Sequence, residues 1–323
     1  MREAAFVKKN KDKWQQFEKL LKSAERNDPD KVSKLYIQIT DDLSYARTFY
    51  PQSQTTAYLN HLAMDVHQSI YKNKKVKSNR FVSFWLYELP LLFWDARKQF
   101  LYSFLIFMAA VLIGALSSAY DENFPRLILG DYYVNMTIEN INKNDPMAVY
   151  KIQGQMDMFL GITFNNVRVS FYAFIFGIFF SLGTGYLLFN NGIMLGSFQY
   201  FFYKYGLLFE SVLSIWIHGT IEISSIIIAG ASGMVMGNSL LFPGTYPRLY
   251  ALKKGALKGV KIIVGLIPLF IIAGFLESFV TRLTELPVFV KMGIILLSVA
   301  FILTYFVFYP MYLVRKQIEF INE

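Results

Sequence analysis

Residues 207–236 read LLFESVLSIWIHGTIEISSIIIAGASGMVM, a run with one His, two Glu and neither Lys nor Arg. About 20 consecutive apolar residues are enough for a helix to cross a bilayer, so this run predicts a transmembrane helix. Four more such runs lie at roughly 100–119, 167–189, 260–281 and 288–313, and a shorter one, 193–203, sits between Gly192 and Gly206.

The composition agrees. The 323 residues are 54% hydrophobic and 17% charged, with 31 Phe and 21 Tyr, more aromatic and less charged than a soluble domain. Charge is also unevenly placed. Residues 1–98 hold 18 of the 32 Lys and Arg and 11 of the 23 Asp and Glu, a net +7 of the total +9. That pattern describes a soluble basic head followed by a membrane body. The opening MREAAFVKKNKDKW has no apolar core, so the first span is expected to serve as the insertion signal.

In the head, Val7, Trp14, Phe17 and Leu21 recur at helical spacing between Glu3 and Ala24. Asp28-Pro29 suits the cap and first position of a second helix, whose stripe runs Val32, Leu35, Tyr36, Ile39, Leu43, Ala46, Tyr50 and stops at Pro51. A third stripe is Leu59, Leu62, Ala63, Val66, Ile70. Three short amphipathic helices bury their stripes by packing together, so a small bundle is expected. His61 and His67, with Asp65 nearby, read as a solvated face rather than a metal site. YKNKKVKSNR, residues 71–80, is either a collar against anionic headgroups or a basic linker. FVSFWLYELPLLFW, residues 81–94, is rich in the aromatics that favour a membrane interface. It predicts an interfacial helix turning at Pro90 into the first span.

Basic residues set the orientation. The head, the loop 245–261 (Arg248, Lys253, Lys254, Lys258, Lys261) and Arg315-Lys316 are placed inside. Segment 120–166, with three basic and six acidic residues, is placed outside, with a short helix on Val134, Ile138 and Ile141 closed by Asn144-Asp145-Pro146. Both ends inside requires an even number of crossings between Asn190 and Asn238, so 193–205 is counted as a short sixth span. The expected fold class is all-α: a polytopic membrane protein of about six transmembrane helices with an N-terminal cytoplasmic helical bundle. Its divisions are 1–78 (three-helix segment), 79–98 (interfacial amphipathic helix) and 99–323 (transmembrane domain with external segment 120–166).

Small residues cluster centrally: Gly177, Ser181, Gly185; Gly192, Gly196; Ala229, Gly233, Gly237; and Gly219 beside His218. Four-residue spacing lets helix backbones approach closely in lipid, within one subunit or across a homo-oligomer face. His218 and Glu222 share one helical face near mid-span, and Glu277 lies near the outer end of the fifth span. Ionisable residues are costly in a bilayer and pair or line a cavity. The three residues read either as a structural clamp, with Glu222 accepting a hydrogen bond from the His218 ring, or as a proton or ion relay.

The absence of Cys removes disulfides, thiolate metal sites and cysteine nucleophiles. One His and two carboxylates are a thin ligand set, and no HExxH, GxSxG or GxxxxGK[ST] occurs, so no metal, cofactor, hydrolase or nucleotide chemistry is expected.

The chain resembles the stage II sporulation protein M family, integral membrane proteins also treated as a domain of unknown function. The similarity lies in Phe6 and Trp14, in LYIQITDDLSYARTFYP (Asp42, Leu43, Ala46, Arg47, Pro51) and in YLNHL. In the body it includes NNVRVSFYAFIFGIFFSLGT, NNGIMLG, HGTIEISSIIIAGASG and ESFVT, with the HG-x-x-E element its most specific part. In spore formers the family member works with a cell-wall hydrolase pair during engulfment, and many relatives occur in bacteria that never sporulate. The basic head is longer than in the spore-forming version. The resemblance implies a non-enzymatic scaffold in the bacterial inner membrane near envelope remodelling. Its partners would be membrane lipids and other membrane or envelope proteins, not nucleic acid. The alternative is a transporter or ion- or proton-conducting protein using His218, Glu222 and Glu277.

Overall fold

The computed structural model describes residues 2–22, 29–71, 80–151 and 154–322. The cap candidate Asp28 and residues 72–79 of the basic stretch lie outside them. The chain divides into two compact units, Met1–Ser78 and Asn79–Glu323. Among the described residues every regular element is helical.

The first unit holds α1 (Glu3–Lys22), α2 (Pro29–Phe49) and α3 (Gln54–Tyr71). The sequence stripes meet in one core, Phe6, Trp14 and Phe17 against Ile39, Leu43 and Ala46 and against Leu59, Leu62 and Ala63. The Trp14 indole, amphipathic and otherwise unsatisfied in that core, donates to Asp42 Oδ2 at 2.7 Å. Lys13 pairs with the same carboxylate at 2.5 Å. Pro29 begins α2, where a missing N–H costs nothing.

The second unit opens with α4 (Arg80–Ser83), a π-helical turn Phe84–Glu88, α5 (Leu89–Asp95) and α6 (Arg97–Tyr120). The expected turn at Pro90 is absent, and the chain bends instead at Ala96, φ −91° and ψ 8°. A proline inside a helix leaves a carbonyl without its N–H partner. Here the Tyr305 hydroxyl donates to Trp85 O at 2.6 Å and the Tyr309 hydroxyl to Leu86 O at 2.9 Å, satisfying the carbonyls a turn behind Pro90. Leu89 and Phe93 are buried in the body's core, so this segment is a packed part of the bundle. Lys258 pairs with Asp95 at 3.0 Å, and Lys261 pairs with Glu88.

Next come α7 (Phe124–Leu129), α8 (Asp131–Asn142), a 3-10 turn Ala148–Lys151 and α9 (Gln155–Ile175). α9 thus begins within the segment 120–166 expected outside, and Gln155–Ile178 is long and apolar enough to cross a membrane. Val134, Met147 and Tyr150 of that segment share a separate apolar cluster with Met158, Phe201, Phe202 and Ile215. The segment is thus a folded cap over one end of the bundle.

The run expected to cross at 167–189 is broken. A 3-10 turn at Phe176–Ile178 and left-handed Phe180 and Ser181, φ 55° and 66°, reverse the chain before α10 (Leu182–Lys204). A Cβ on Gly177 would strike the Gly233 backbone, so the turn is pinned against the later helix Leu208–Leu241. The break is hidden in the sequence because the turn itself is apolar, FGIFFS. Consequently α10 is a 23-residue helix, not a short run from 193, and at 1.5 Å per residue it extends about 34 Å.

The rest of the bundle is α11 (Leu208–Leu241) and α12 (Arg248–Phe275), the latter continued by a π-helical segment Leu276–Thr281. Then come α13 (Val288–Leu303), a π-helical turn Thr304–Phe308 and α14 (Tyr309–Asn322). The basic stretch 248–261, expected as loop, is the first part of α12.

Among the described residues five helices are long and apolar enough to cross a membrane: 97–120, 155–178, 208–241, 248–281 and 288–316. α10, which is not among them, runs between the same two ends of the bundle. Lys204 at its end pairs with Glu122 of the cap at 2.6 Å. Its start, by contrast, packs Ser181 beside Gly237 at the far end of α11. The molecule is an all-α polytopic membrane protein.

Candidate functional site

α11 is the central helix; its apolar window is 67% buried, the most of any span. At 34 residues it is about 51 Å long, well beyond the roughly 30 Å hydrocarbon layer, so it reaches past both surfaces or tilts. Burial requires close neighbours, and the glycines provide them. A Cβ on Gly192 would lie 2.6 Å from Ala110 Cβ, and one on Gly196 2.8 Å from the Val111 carbonyl carbon, so α10 rests directly on α6. Gly233 and Gly237 similarly admit the α9–α10 turn. Gly219 differs: a Cβ there would meet only Ile215 Cγ2, at 3.7 Å, an ordinary contact.

Polar clasps reinforce these approaches. Ser103 donates to Ile227 O at 2.6 Å, Ser118 to Ser197 Oγ at 2.8 Å and Thr184 to Ala173 O at 2.6 Å. In lipid such interhelical hydrogen bonds, with small-residue packing, hold helices together.

Near the cap end the same architecture gathers His218, Glu222 and Glu277. One ring nitrogen of His218 and one carboxylate oxygen from each Glu all lie within 4.8 Å of one another. His218 is 4% exposed. Its Nδ1 lies 3.0 Å from Thr281 Oγ1, and its Nε2 is 3.8 Å from Glu277 Oε1. Both ring nitrogens therefore address one π-helical turn, Leu276–Thr281, whose widened geometry brings Glu277 and Thr281 to the same side. The expected hydrogen bond from His218 to Glu222 along α11 is not formed; Thr281, 63 residues away, takes the ring instead.

The surroundings contain residues that spacing alone did not reveal. Tyr150 of the cap sets its ring edge-on to His218, centroids 5.9 Å apart, and Arg282 Nε holds the Tyr150 carbonyl at 2.9 Å. Burial, with the neighbouring Glu277 carboxylate next, holds the Tyr150 phenol well above its ordinary pKa. Asn166 of α9 is 5% exposed. Its carboxamide lies against Glu222, yet Nδ2 has no acceptor in hydrogen-bonding geometry. Thr163, Asn166 and Ser170, on one face of α9, each carry a buried atom without a partner. A cavity of about 330 Å³, lined by Met158, Ile162, Asn165, Asn166, Glu222 and Glu277, adjoins the group. The one sequence signal for Asn166 was the polar pair Asn165-Asn166 inside an apolar run.

Chemically the arrangement offers one imidazole and two carboxylates, with His218 and Glu277 the pair in reach of each other. It can hold protons or a cation.

A family model for stage II sporulation protein M matches residues 103–282, and a domain of unknown function (DUF8413) matches residues 4–72. No curated protein and no solved structure matches the chain. The head, whose residues shared in the resemblance drawn from the sequence, thus falls under a separate domain model. The first match takes in 180 of the 323 residues, including all of α9–α11 and the His218, Glu222 and Glu277 group. By that match the chain belongs to the stage II sporulation protein M family.

Proposed function

We propose that this protein is a non-enzymatic scaffold of the bacterial inner membrane, with both termini cytoplasmic. In this reading it assembles envelope proteins that remodel the cell wall, docking them through its head and through the cap at 121–154. The carrying observation is a contrast within the second unit. The bundle is locked by glycine-to-backbone approaches across α6, α10 and α11, while the cap packs on the ends of α9, α10 and α11 through a second apolar cluster, separate from the bundle's main core. A rigid body with an elaborated end suits holding partners in place, and family membership supports the envelope setting. The basic residues at the 242–261 end support a cytoplasmic location for that face.

The alternative is conduction of protons or ions, favoured by the unpartnered polar row Thr163, Asn166 and Ser170 beside Glu222. Deleting the gene in its native host is expected to alter sensitivity to cell-wall hydrolases. The intact chain should restore it, and a chain lacking residues 1–78 should not. The purified protein in liposomes is expected to pass no proton flux above empty vesicles. Proton flux that Glu222→Gln abolishes would replace the scaffold by the conducting reading.

A further inference from the structure

His218, Glu222 and Glu277 converge from two different helices on one point, and three features at that point remain without a purpose. The first is charge. Two carboxylates are largely buried in the bundle, and the one ion-pair contact recorded for either is from Glu277 to His218. Buried carboxyl groups either keep their protons or, where charged, are paired or coordinate a metal.

The second is distance. His218 Nε2 and Glu277 Oε1 stand 3.8 Å apart, too far for a hydrogen bond. Ligands about 2.0 Å from a tetrahedral zinc ion lie about 3.3 Å from one another, so this pair is about half an ångström from bridging one. All three donor atoms lie within 4.8 Å of one another, which small rotations of the two Glu side chains would tighten. The Nδ1 contact to Thr281 Oγ1 at 3.0 Å supplies what a metal-binding imidazole ordinarily has: a partner on its other nitrogen that fixes ring and tautomer.

The third is Asn166. It is buried and lines the adjoining cavity, and its carboxamide lies against Glu222 with Nδ2 outside hydrogen-bonding geometry. An amide N–H₂ in that position suits a donor to a metal-bound water or to the free oxygen of Glu222.

The geometry points to a binding site for one divalent transition-metal ion, with His218, Glu222 and Glu277 as ligands and Thr281 and Asn166 as supporting residues. The ion would neutralise both carboxylates and tie α11 to the π-helical segment after α12. An imidazole in the set favours zinc-like ions over magnesium or calcium, which take oxygen ligands. The site is separate from the proposed scaffold role, which stands without it.

The experiment measures metal in the full-length protein, purified in detergent with its affinity tag removed, stripped with a chelator and dialysed against zinc. About one zinc per chain is expected, unaffected by millimolar magnesium or calcium, with a rise in melting temperature on adding zinc. Glu222→Gln and Glu277→Gln should each lose the ion, and Thr281→Val should weaken its binding about 10- to 100-fold. His61→Asn with His67→Asn should leave the content unchanged. Where a Gln variant does not fold, cobalt bound to the wild type provides the second reading: its visible spectrum must show one nitrogen and otherwise oxygen ligands. The proposal is overturned if the folded wild type takes up no zinc. It is equally overturned if folded Gln variants keep the wild-type content, if magnesium displaces the zinc, or if loss follows the head histidines instead.

Discussion

Thr281 shows how a residue far away in sequence can decide the state of His218. Its hydroxyl sits 3.0 Å from Nδ1, and both side chains are buried. Leaving a buried polar atom unpaired costs about 1–3 kcal/mol. Thr281→Val, nearly identical in shape, is therefore expected to lower the melting temperature of the full-length protein, and Thr281→Ser to restore most of it. Equal melting temperatures for Val and Thr would show that the contact is unimportant to stability. The sequence pointed to His218 and Glu222 through their four-residue spacing, and to Glu277 through its cost in a bilayer. It could not show that the ring bonds Thr281 rather than Glu222, because that depends on a π-helical turn in another helix. Nor could it single out Asn166 or Tyr150: an Asn in an apolar run and a Tyr in a loop carry no pattern, and only the fold brings them to His218.

At the scale of the elements, the glycines divide into two kinds that their spacing does not distinguish. Gly196 faces the Val111 backbone of α6, whereas Gly219 faces nothing closer than Ile215 on its own helix. Gly196→Ala is expected to force α10 away from α6 and destabilise the bundle by about 1–3 kcal/mol, as overpacking generally does. Gly219→Ala should be neutral or stabilising by up to about 1 kcal/mol, since Ala is the better helix former. Thermal unfolding of the two variants in the same detergent checks both. The spans on either side of α11 were legible from hydropathy because their apolar runs end in charged or polar residues. The reversal at 176–181 was not, since Phe, Ile and Gly occupy both the turn and the helices it joins. Pro90 misled for the opposite reason. A proline signals a break on local grounds, and the tyrosine hydroxyls that satisfy the carbonyls behind it come from more than 200 residues away.

At the scale of the whole molecule, the head and the body have separate cores. A fragment of residues 1–78 is accordingly expected to be soluble and helical, with one cooperative melting transition. A random-coil circular dichroism spectrum would show that its stripes need the rest of the chain.

The path of the chain through the membrane follows from which residues share an end of the bundle. Glu122 and Lys204 meet at one end, and Phe202 and Ile215 join the cap's cluster there. Asp95, Asn238, Phe242 and Lys254 line one cavity at the other. Six crossings satisfy both groupings: α6, α9, α10, α11, α12 with its π-helical continuation, and α13 with α14. α10 is not among the five most apolar helices, but Lys204 at its end pairs with Glu122 while Ser181 at its start lies beside Gly237, so it joins the two ends of the bundle. The end with Asp95 and Asn238 also carries Arg97, Lys98, Arg248, Lys253, Lys254, Lys258 and Lys261, the excess of basic residues on which the proposed cytoplasmic placement of that end rests. With no native Cys to interfere, single cysteines read the arrangement directly. Glu139→Cys, at an exposed position on α8, should react with an impermeant maleimide in intact cells whose outer layers admit the reagent. Thr245→Cys, exposed in the turn before α12, should react only after the inner membrane is opened. The opposite labelling pattern would invert the protein. Labelling of both sites before opening would mean that α11 does not cross, and the six-span path would fall with it.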